Sequence, residues 1–473
     1  MVKRPPGYFD ASVYPQFRAL SVSLLHYFRP EPNRLKLERD LFLTEQKVNP
    51  TFSYDRMSHF DAPRRRTELN DFMDEVVNDR HLAPLVRTLY RRIVQQELRK
   101  LDLLDYLNRL LQDRDDLSAL AGYQDTTRLL YGQPICSLFL HVIEVLALKV
   151  SNSSPNQDNE YDYESARFRL ESLIKHYDGV AERCPLLLKT KPSVPLKVEA
   201  VISDETELWR QFVVAIEELG LMGWKLSIDE TGIRTTFAVS LGQRLLKAPG
   251  FKQLTLRSRD KAMTPSMVKG LVAHELATHA RRYERGLESP LNLLATGLDL
   301  YEQGAEGLAT YREQQATGTD DYAGFTYYLA AGLACGLMSE SRDFRSTFDF
   351  LADYYVVHEG ATRRRARLLA WEATLRVFRG TPGDVSGLIF TKDVVYREGN
   401  TMAWEFFPAL RDESSGDLDV GKFDPTNREH VRILTELELI STELSTVHDR
   451  LCLPSRSDLL LCYPEYTANI VKS

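Results

Sequence analysis

Five cysteines in 473 residues (Cys136, Cys184, Cys335, Cys452 and Cys462) are scattered, odd in number and never form a Cys-x-x-Cys pair. Such usage argues against a disulfide framework and a cysteine-type zinc site, and it fits a reducing compartment. Long apolar runs are missing too. The greasiest stretch, ICSLFLHVIEVLALKV at 135–150, falls short of the ~20 residues of a membrane span and carries His141 and Glu144. It reads as a buried core helix. Basic charge is not in excess, because 60 Lys and Arg face 67 Asp and Glu for a net charge of −7. A chain built to wrap nucleic acid would be strongly basic. The opening residues, MVKRPPGYFDASVYPQF, hold two basic residues with no apolar stretch behind them, so no signal peptide is expected. Walker loop, dinucleotide fingerprint and nucleophile elbow are all absent. The expectation is a cytoplasmic protein that binds neither nucleic acid nor membrane.

What is present is the material of a sizeable core: 43% of the residues are apolar and 10% of the residues are aromatic. At ~150 residues per domain the length suggests about three domain-equivalents, or one large domain with a helical annex. Residues 1–125 read as mixed-charge helices, with 82–111 at helical spacing, and form an expected N-terminal helical region; 126–473 is the expected catalytic domain. The polar stretch 151–165 reads as a surface loop or boundary. Strand-like runs fall at 235–241, 252–258 and 389–396, with a turn-rich APGF at 248–251. Helices are expected around the histidine motif described next, around 299–315, 323–339 and 361–379, and over 428–450. The class is α+β, mostly helical with a small sheet.

The chemistry concentrates in MVKGLVAHELATHARRYERG (267–286), which contains His274, Glu275 and His279 in the pattern H-E-x-x-x-H. Neutral imidazoles bind Zn²⁺, and a catalytic zinc keeps three protein ligands and one open position for water. Glu275, next to a ligand, is placed to take a proton from that water. The spacing adds a constraint: on a regular α-helix residues five apart lie ~140° apart around the axis. Both histidines reach one metal only if a π-type turn is inserted, expected within Leu276–Thr278, where Ala277 and Thr278 are small. Helical spacing in LDLYEQGAEGLATYREQQ (298–315) puts Glu302, Glu306 and Glu313 near one side as candidates for the third ligand. The small residues around Glu306 would let that helix pack close against the metal helix. A second constellation, Arg376, Arg379, Lys392, Asp393 and Tyr396, surrounds a glycine-rich turn. Arg379 and Lys392 are candidates to hold a substrate's terminal carboxylate, and Tyr396 to donate to an oxyanion. The arginines at 363–365 and 367 read as a solvated helix face, His358 as packed or surface, Cys335 as core, and the aromatics at 322–328 as core with one able to line a pocket.

Four blocks, NPTFSY (49–54), VAHELATHARRYERG (272–286), AEGLATYRE (305–313) and RVFRG…FTKDVVYREG (376–399), carry a resemblance. The chain is similar to the metallopeptidase family of microtubule-associated tyrosine carboxypeptidases and bacterial proteins with a Gln-Glu-Gly-Leu-Ala motif. The resemblance implies His274, His279 and Glu306 as zinc ligands and Glu275 as the catalytic glutamate. It also implies a protein or peptide substrate with a free C-terminus, tubulin among the family's substrates. One departure is Ala305, where the family has Gln beside the ligand. The expected fold is thus a zincin-like catalytic domain with a small sheet beside the metal-binding helix. The strand at 252–258 is expected to pair with substrate as an edge strand. Two other readings are weighed: an amino-end exopeptidase like the dipeptidyl peptidases III, whose third-ligand block differs, and a non-catalytic binding protein on a peptidase fold.

Overall fold

Helix-forming patterns in the sequence become helices almost throughout. The computed structural model describes residues 9–155, 160–181, 192–197, 199–229, 236–251, 254 and 263–451. The longest helix, Pro84–Gln112, starts on a proline whose missing N–H costs nothing at that position, and turns Val86, Leu89, Tyr90, Ile93, Val94 and Leu101 inward at three- and four-residue spacing. Leu117–Tyr131 follows, its first turn capped by Asp116, which accepts from the Ala119 N–H at 2.9 Å. The chain then bends by 82° into Cys136–Ser151. That apolar helix is a core element: Leu138, Phe139, Val142, Ile143 and Leu146 are buried. Among the described residues no single helix is long and apolar enough to cross a membrane.

One continuous apolar core joins these N-terminal helices to the helices after residue 291. The second core is smaller and surrounds a three-stranded sheet in the order β1-β3-β2. β1 (Lys225–Asp229) runs parallel to β3 (Leu245–Pro249), Leu226 opposite Leu246; β2 (Ala238–Ser240) is antiparallel to β3, Val239 opposite Leu246. Leu246 shares this core with Phe212, Ile216 and Trp224 and with Leu276 and Ala280 of the helix that carries the histidine motif. The sheet therefore lies beside that helix, with β1 and β2 as its two edge strands.

Several boundaries differ from the sequence reading. The run 389–396 is not a strand: Thr391–Asp393 is a 3-10 turn that continues into the helix Val394–Phe406. Its β-branched residues are buried on both sides of a helix, a setting that single-sequence patterning does not separate from a buried strand. Of the run 235–241 only 238–240 is strand, and Leu241 begins a 3-10 turn. The expected turn at 248–251 begins instead as the end of β3. Position 235 and the run 252–258, apart from Leu254, lie outside the described residues, and with them the expected edge-strand pairing there. The polar stretch is helical from Glu160 onward, with 156–159 outside the description. The last helix is two, Arg428–Glu436 and Glu443–Leu451.

Candidate metal centre and cleft

The metal helix is π-wound over Val272–Ala280, between α-helical Pro265–Leu271 and Arg281–Glu288. The five-residue histidine spacing demands such winding, and it runs well beyond the single turn expected at 276–278. Two partners sustain it. The Thr278 hydroxyl donates to the Ala273 carbonyl at 2.7 Å, and Arg312 Nη1 donates to the Ala277 carbonyl at 3.1 Å while pairing with Asp419 at 2.9 Å. Carbonyls displaced from the regular ladder are thereby satisfied.

Winding of this kind turns both imidazoles toward the helix Glu302–Thr317. His279 Nε2 lies 3.5 Å and His274 Nε2 3.7 Å from Glu306 Oε2, and the two rings stand 5.0 Å apart. Bonds of ~2.0–2.2 Å to a tetrahedral zinc put ligand atoms ~3.3–3.6 Å from one another. The two sides that meet at Glu306, 3.5 and 3.7 Å, are close to that spacing, and the group's ligand atoms all lie within 4.8 Å of one another. Among the described residues this is the group of His, Cys, Asp and Glu side chains close enough to hold a metal. Glu306 Oε2 is buried with no hydrogen-bond partner, an expensive state for a carboxylate oxygen that a cation in the triangle would relieve. Burial opposes charge on His274, yet Glu306 and Glu313 hold its pKa well above the usual value. Burial likewise opposes charge on Glu306, and the two histidines hold it well below the carboxylate range.

Glu313 is not a third ligand. Seven residues beyond Glu306 and on the same helix face, its Oε2 accepts from His274 Nδ1 at 2.8 Å. This bond fixes the tautomer that leaves Nε2 free for a metal. The i to i+7 spacing from Glu306 was the signal that could have assigned this role. Glu302 lines the cleft without touching the triad. The small residues around Glu306 serve a purpose other than close approach to the metal helix. A side chain at Gly307 would strike the Gly399 carbonyl at 2.3 Å, and one at Gly304 would strike Asp424. They admit the helix Val394–Phe406 and the loop at 424, and Asn400 Nδ2 completes the crossing by donating to Thr310 Oγ1 and Gln314 Oε1 at 2.8 Å.

Glu275 faces the edge strand β2. Its Oε2 accepts from the Val239 N–H at 3.1 Å, so the carboxylate sits between β2 and the triad. Sequence reading missed this partner because nothing local couples position 239 to 275. Both line a cleft of ≈ 1450 Å³, larger than the ~300–1,000 Å³ of small-molecule pockets. Its other walls include Val22 and Leu24 from the N-terminal region, and Phe325 and Tyr327. The arginine at 365 also reaches this wall, unlike the solvated face expected of it, whereas Arg367 pairs with Glu45 at 3.4 Å.

Arg379, Lys392 and Tyr396 all line the same cleft as the triad. Arg376 makes a two-pronged pair with buried Asp393 at 2.8 and 2.9 Å, and Arg379 stands 3.7 Å from the same carboxylate. Burial opposes charge on Asp393, but the two arginines hold its pKa below the usual range. Lys392 has no carboxylate within ion-pair distance among the described residues; its Nζ lies 5.5 Å from the Tyr131 ring. Burial and the nearby Glu306 push the Tyr396 phenol well up, so it is a proton-bearing donor at neutral pH. Of the features expected to be structural, Cys335 is a core thiol with its pKa pushed up to about 12 by burial, and His358 packs against Tyr354.

Residues 236–445 match the model of a family described as microtubule-associated tyrosine carboxypeptidase. This is the family the sequence motifs resemble, and the matched segment contains every candidate site residue of the sequence analysis from His274 to Tyr396. The block at 49–54 lies outside it. No curated protein matches the chain. The family is one of carboxypeptidase-type peptidases.

Proposed function

We propose that the protein is a zinc-dependent metallopeptidase that removes a C-terminal residue from a protein or peptide. The triangle of His274 Nε2, His279 Nε2 and Glu306 Oε2, with its partnerless buried oxygen and Glu275 alongside, carries this reading. Zinc there would act as a Lewis acid, lowering the pKa of a coordinated water from ~15.7 towards ~7. Glu275 takes the proton of the attacking water and returns it to the leaving amine, the Val239 N–H steadying its carboxylate meanwhile. The Tyr396 phenol donates to the oxyanion developing at the scissile carbonyl.

Lys392 is the better receptor for the substrate's terminal carboxylate, with Arg379 beside it. Asp393 already occupies Arg376 and stands 3.7 Å from Arg379, whereas Lys392 has no carboxylate within ion-pair distance among the described residues. Tyr131, Phe325, Tyr327 and Tyr355 line the cleft and suit an aromatic terminal side chain. The test is zinc analysis with hydrolysis of a peptide panel. About one zinc per chain, release of the terminal residue from free acids and poor cleavage of C-terminal amides are expected. Cleavage of amides as good as that of acids, with failure on N-acetylated peptides, would make it an amino-end exopeptidase instead. A protein that binds these peptides and cleaves none is a binding protein on this fold.

A further inference from the structure

Two buried cations stand close to the triad outside the cluster at 376–393. Lys422 is 5% exposed, against the rings of Tyr283 and Tyr301, and burial pushes its pKa down to about 7. A methionine would fill that space without the cost of burying an amine. Arg397 is buried completely and does not line the cleft, yet it makes two directed bonds. Its Nη1 donates to the Tyr322 carbonyl at 2.7 Å and its Nη2 to Asp321 Oδ1 at 3.1 Å. A buried ion pair is weak evidence of stability, because apolar side chains of similar volume often serve as well or better. What an apolar side chain cannot supply is direction, and Arg397 is the residue directly after Tyr396.

Both acceptors belong to the loop 318–324, which leaves the glutamate helix Glu302–Thr317 and enters the helix Phe325–Ala334. Gly318 and Gly324 bound the loop, with φ of +87° and +74°. A side chain at Gly324 would strike Tyr396 Cβ and the Arg397 nitrogen, both at 2.9 Å, so the loop packs directly on the root of the Tyr396 side chain. A second tie lies one turn further along the helix, where Asn400 Oδ1 accepts from the Ala323 N–H at 2.8 Å. The ring of Tyr396 has its own neighbour, because the Arg376 guanidinium lies 5.6 Å from it and is held by Asp393. Just past the loop, Phe325 and Tyr327 line the cleft. One tied loop therefore links the helix of Glu306, an aromatic wall and the phenol.

We propose that Arg397 is a positioning residue for the oxyanion step: by tying the loop 318–324 against the start of the helix Val394–Phe406, it fixes where the Tyr396 phenol points. This rests on the peptidase reading, in which Tyr396 donates to the oxyanion. Such a donor helps only if it already stands where charge develops, and a displacement on the order of 1 Å costs up to ~10²-fold in rate.

The experiment is a double-mutant cycle on zinc-loaded protein with a free-acid peptide as substrate. Tyr396→Phe should lower kcat ~10²–10³-fold, as loss of one oxyanion donor does. Arg397→Lys keeps the charge but not the planar fork, and should lower kcat ~10-fold with KM changed less than ~2-fold. In the Tyr396→Phe protein the same substitution should cost less than ~2-fold, because no phenol is left to misplace. Calorimetry supplies a second readout. A phosphonate peptide, whose tetrahedral group resembles the carbonyl after attack, should bind Arg397→Lys ~10-fold more weakly than wild type. The uncleaved substrate peptide should bind Glu275→Gln equally well with and without Arg397→Lys. Asp321→Asn weakens the same pair from the loop side without changing its size; it should repeat the pattern at smaller amplitude, and it carries the test if Arg397→Lys fails to fold. Losses that multiply in the double variant overturn the proposal. So does a rise in KM at constant kcat, because Arg397 would then serve the wall at Phe325 and Tyr327. If Tyr396→Phe leaves kcat unchanged, the donor role falls and this one with it. If the wild type releases no residue, the hydrolytic reading fails, and the phosphonate affinities of the same four proteins decide: coupling of Arg397 to Tyr396 upholds the positioning role and additivity overturns it.

Discussion

Two clusters of charge line one cleft and are balanced in opposite ways. Around Asp393 the balance is internal: the carboxylate has Arg376 in a two-pronged pair and Arg379 nearby. Around Glu306 it is not, because two imidazoles stand at 3.5 and 3.7 Å and one carboxylate oxygen has no hydrogen bond. A cluster that satisfies itself is part of the framework, whereas one left short of a cation is where a ligand belongs. Mutations in the first should therefore register mainly as stability, and mutations in the second mainly as metal content and turnover.

The largest effect expected is at Glu275, beside the incomplete cluster. Glu275→Gln keeps the shape but cannot accept a proton, so kcat should fall ~10²–10⁴-fold with zinc content unchanged by elemental analysis. His279→Ala should instead lose most of the zinc. Asp393→Asn sharpens the contrast from the other side. It strands Arg376 and should cost about 3 kcal/mol in denaturant unfolding, the low end for a broken buried pair because Arg376 is 29% exposed, with zinc stoichiometry intact. Zinc loss in Asp393→Asn without destabilisation would erase the distinction between the clusters.

Lys392 and Glu313 rank next, each expected to change one measured quantity ~10–100-fold. Lys392→Met should lower kcat/KM by that factor on free-acid peptides and hardly at all on amides, as loss of one charge-assisted bond requires. Equal losses on both would remove Lys392 from carboxylate recognition and return the role to Arg379. Glu313→Gln should weaken zinc binding in competition with a chelator, since the partner that orients His274 is weakened. Unaltered affinity would mean that packing alone orients the ring.

How much of this was legible in the sequence depends on how local each constraint is. The five-residue histidine spacing is local, and it dictated π-winding before any coordinates. Its full extent was not, because the Arg312 donor that satisfies Ala277 comes from another helix and is itself held by Asp419. Glu306 and Glu313 were both visible as one face of a helix, but only the distance to Nδ1 rather than Nε2 of His274 separates orienting partner from ligand candidate. β1 escaped although KLSID alternates polar and apolar, because five residues are a short window, and β3 escaped because LLKAP does not alternate at all. The run at 389–396 misled for the opposite reason: its strand-like composition lies in a helix buried on most sides.

The smallest effect concerns Lys422, and its sign follows from linkage. The groups around it are Arg282 and Tyr283 from the metal-helix side, and Tyr301, Glu302 and Glu306 from the glutamate helix. With the folded pKa near 7 and the unfolded value at 10.5, the unfolded chain binds the extra proton between those values. Stability contributed by this residue therefore rises with pH across that window and is flat below it, at most ~1.4 kcal/mol per pH unit. Lys422→Met has no such slope. In paired unfolding measurements the methionine protein should be more stable at pH 7, and its advantage should shrink by pH 9. The two proteins differ only at this residue, so the narrowing belongs to Lys422. An advantage that stays constant would mean that the native lysine remains protonated throughout, held by Glu302 and Glu306 against the cost of burial.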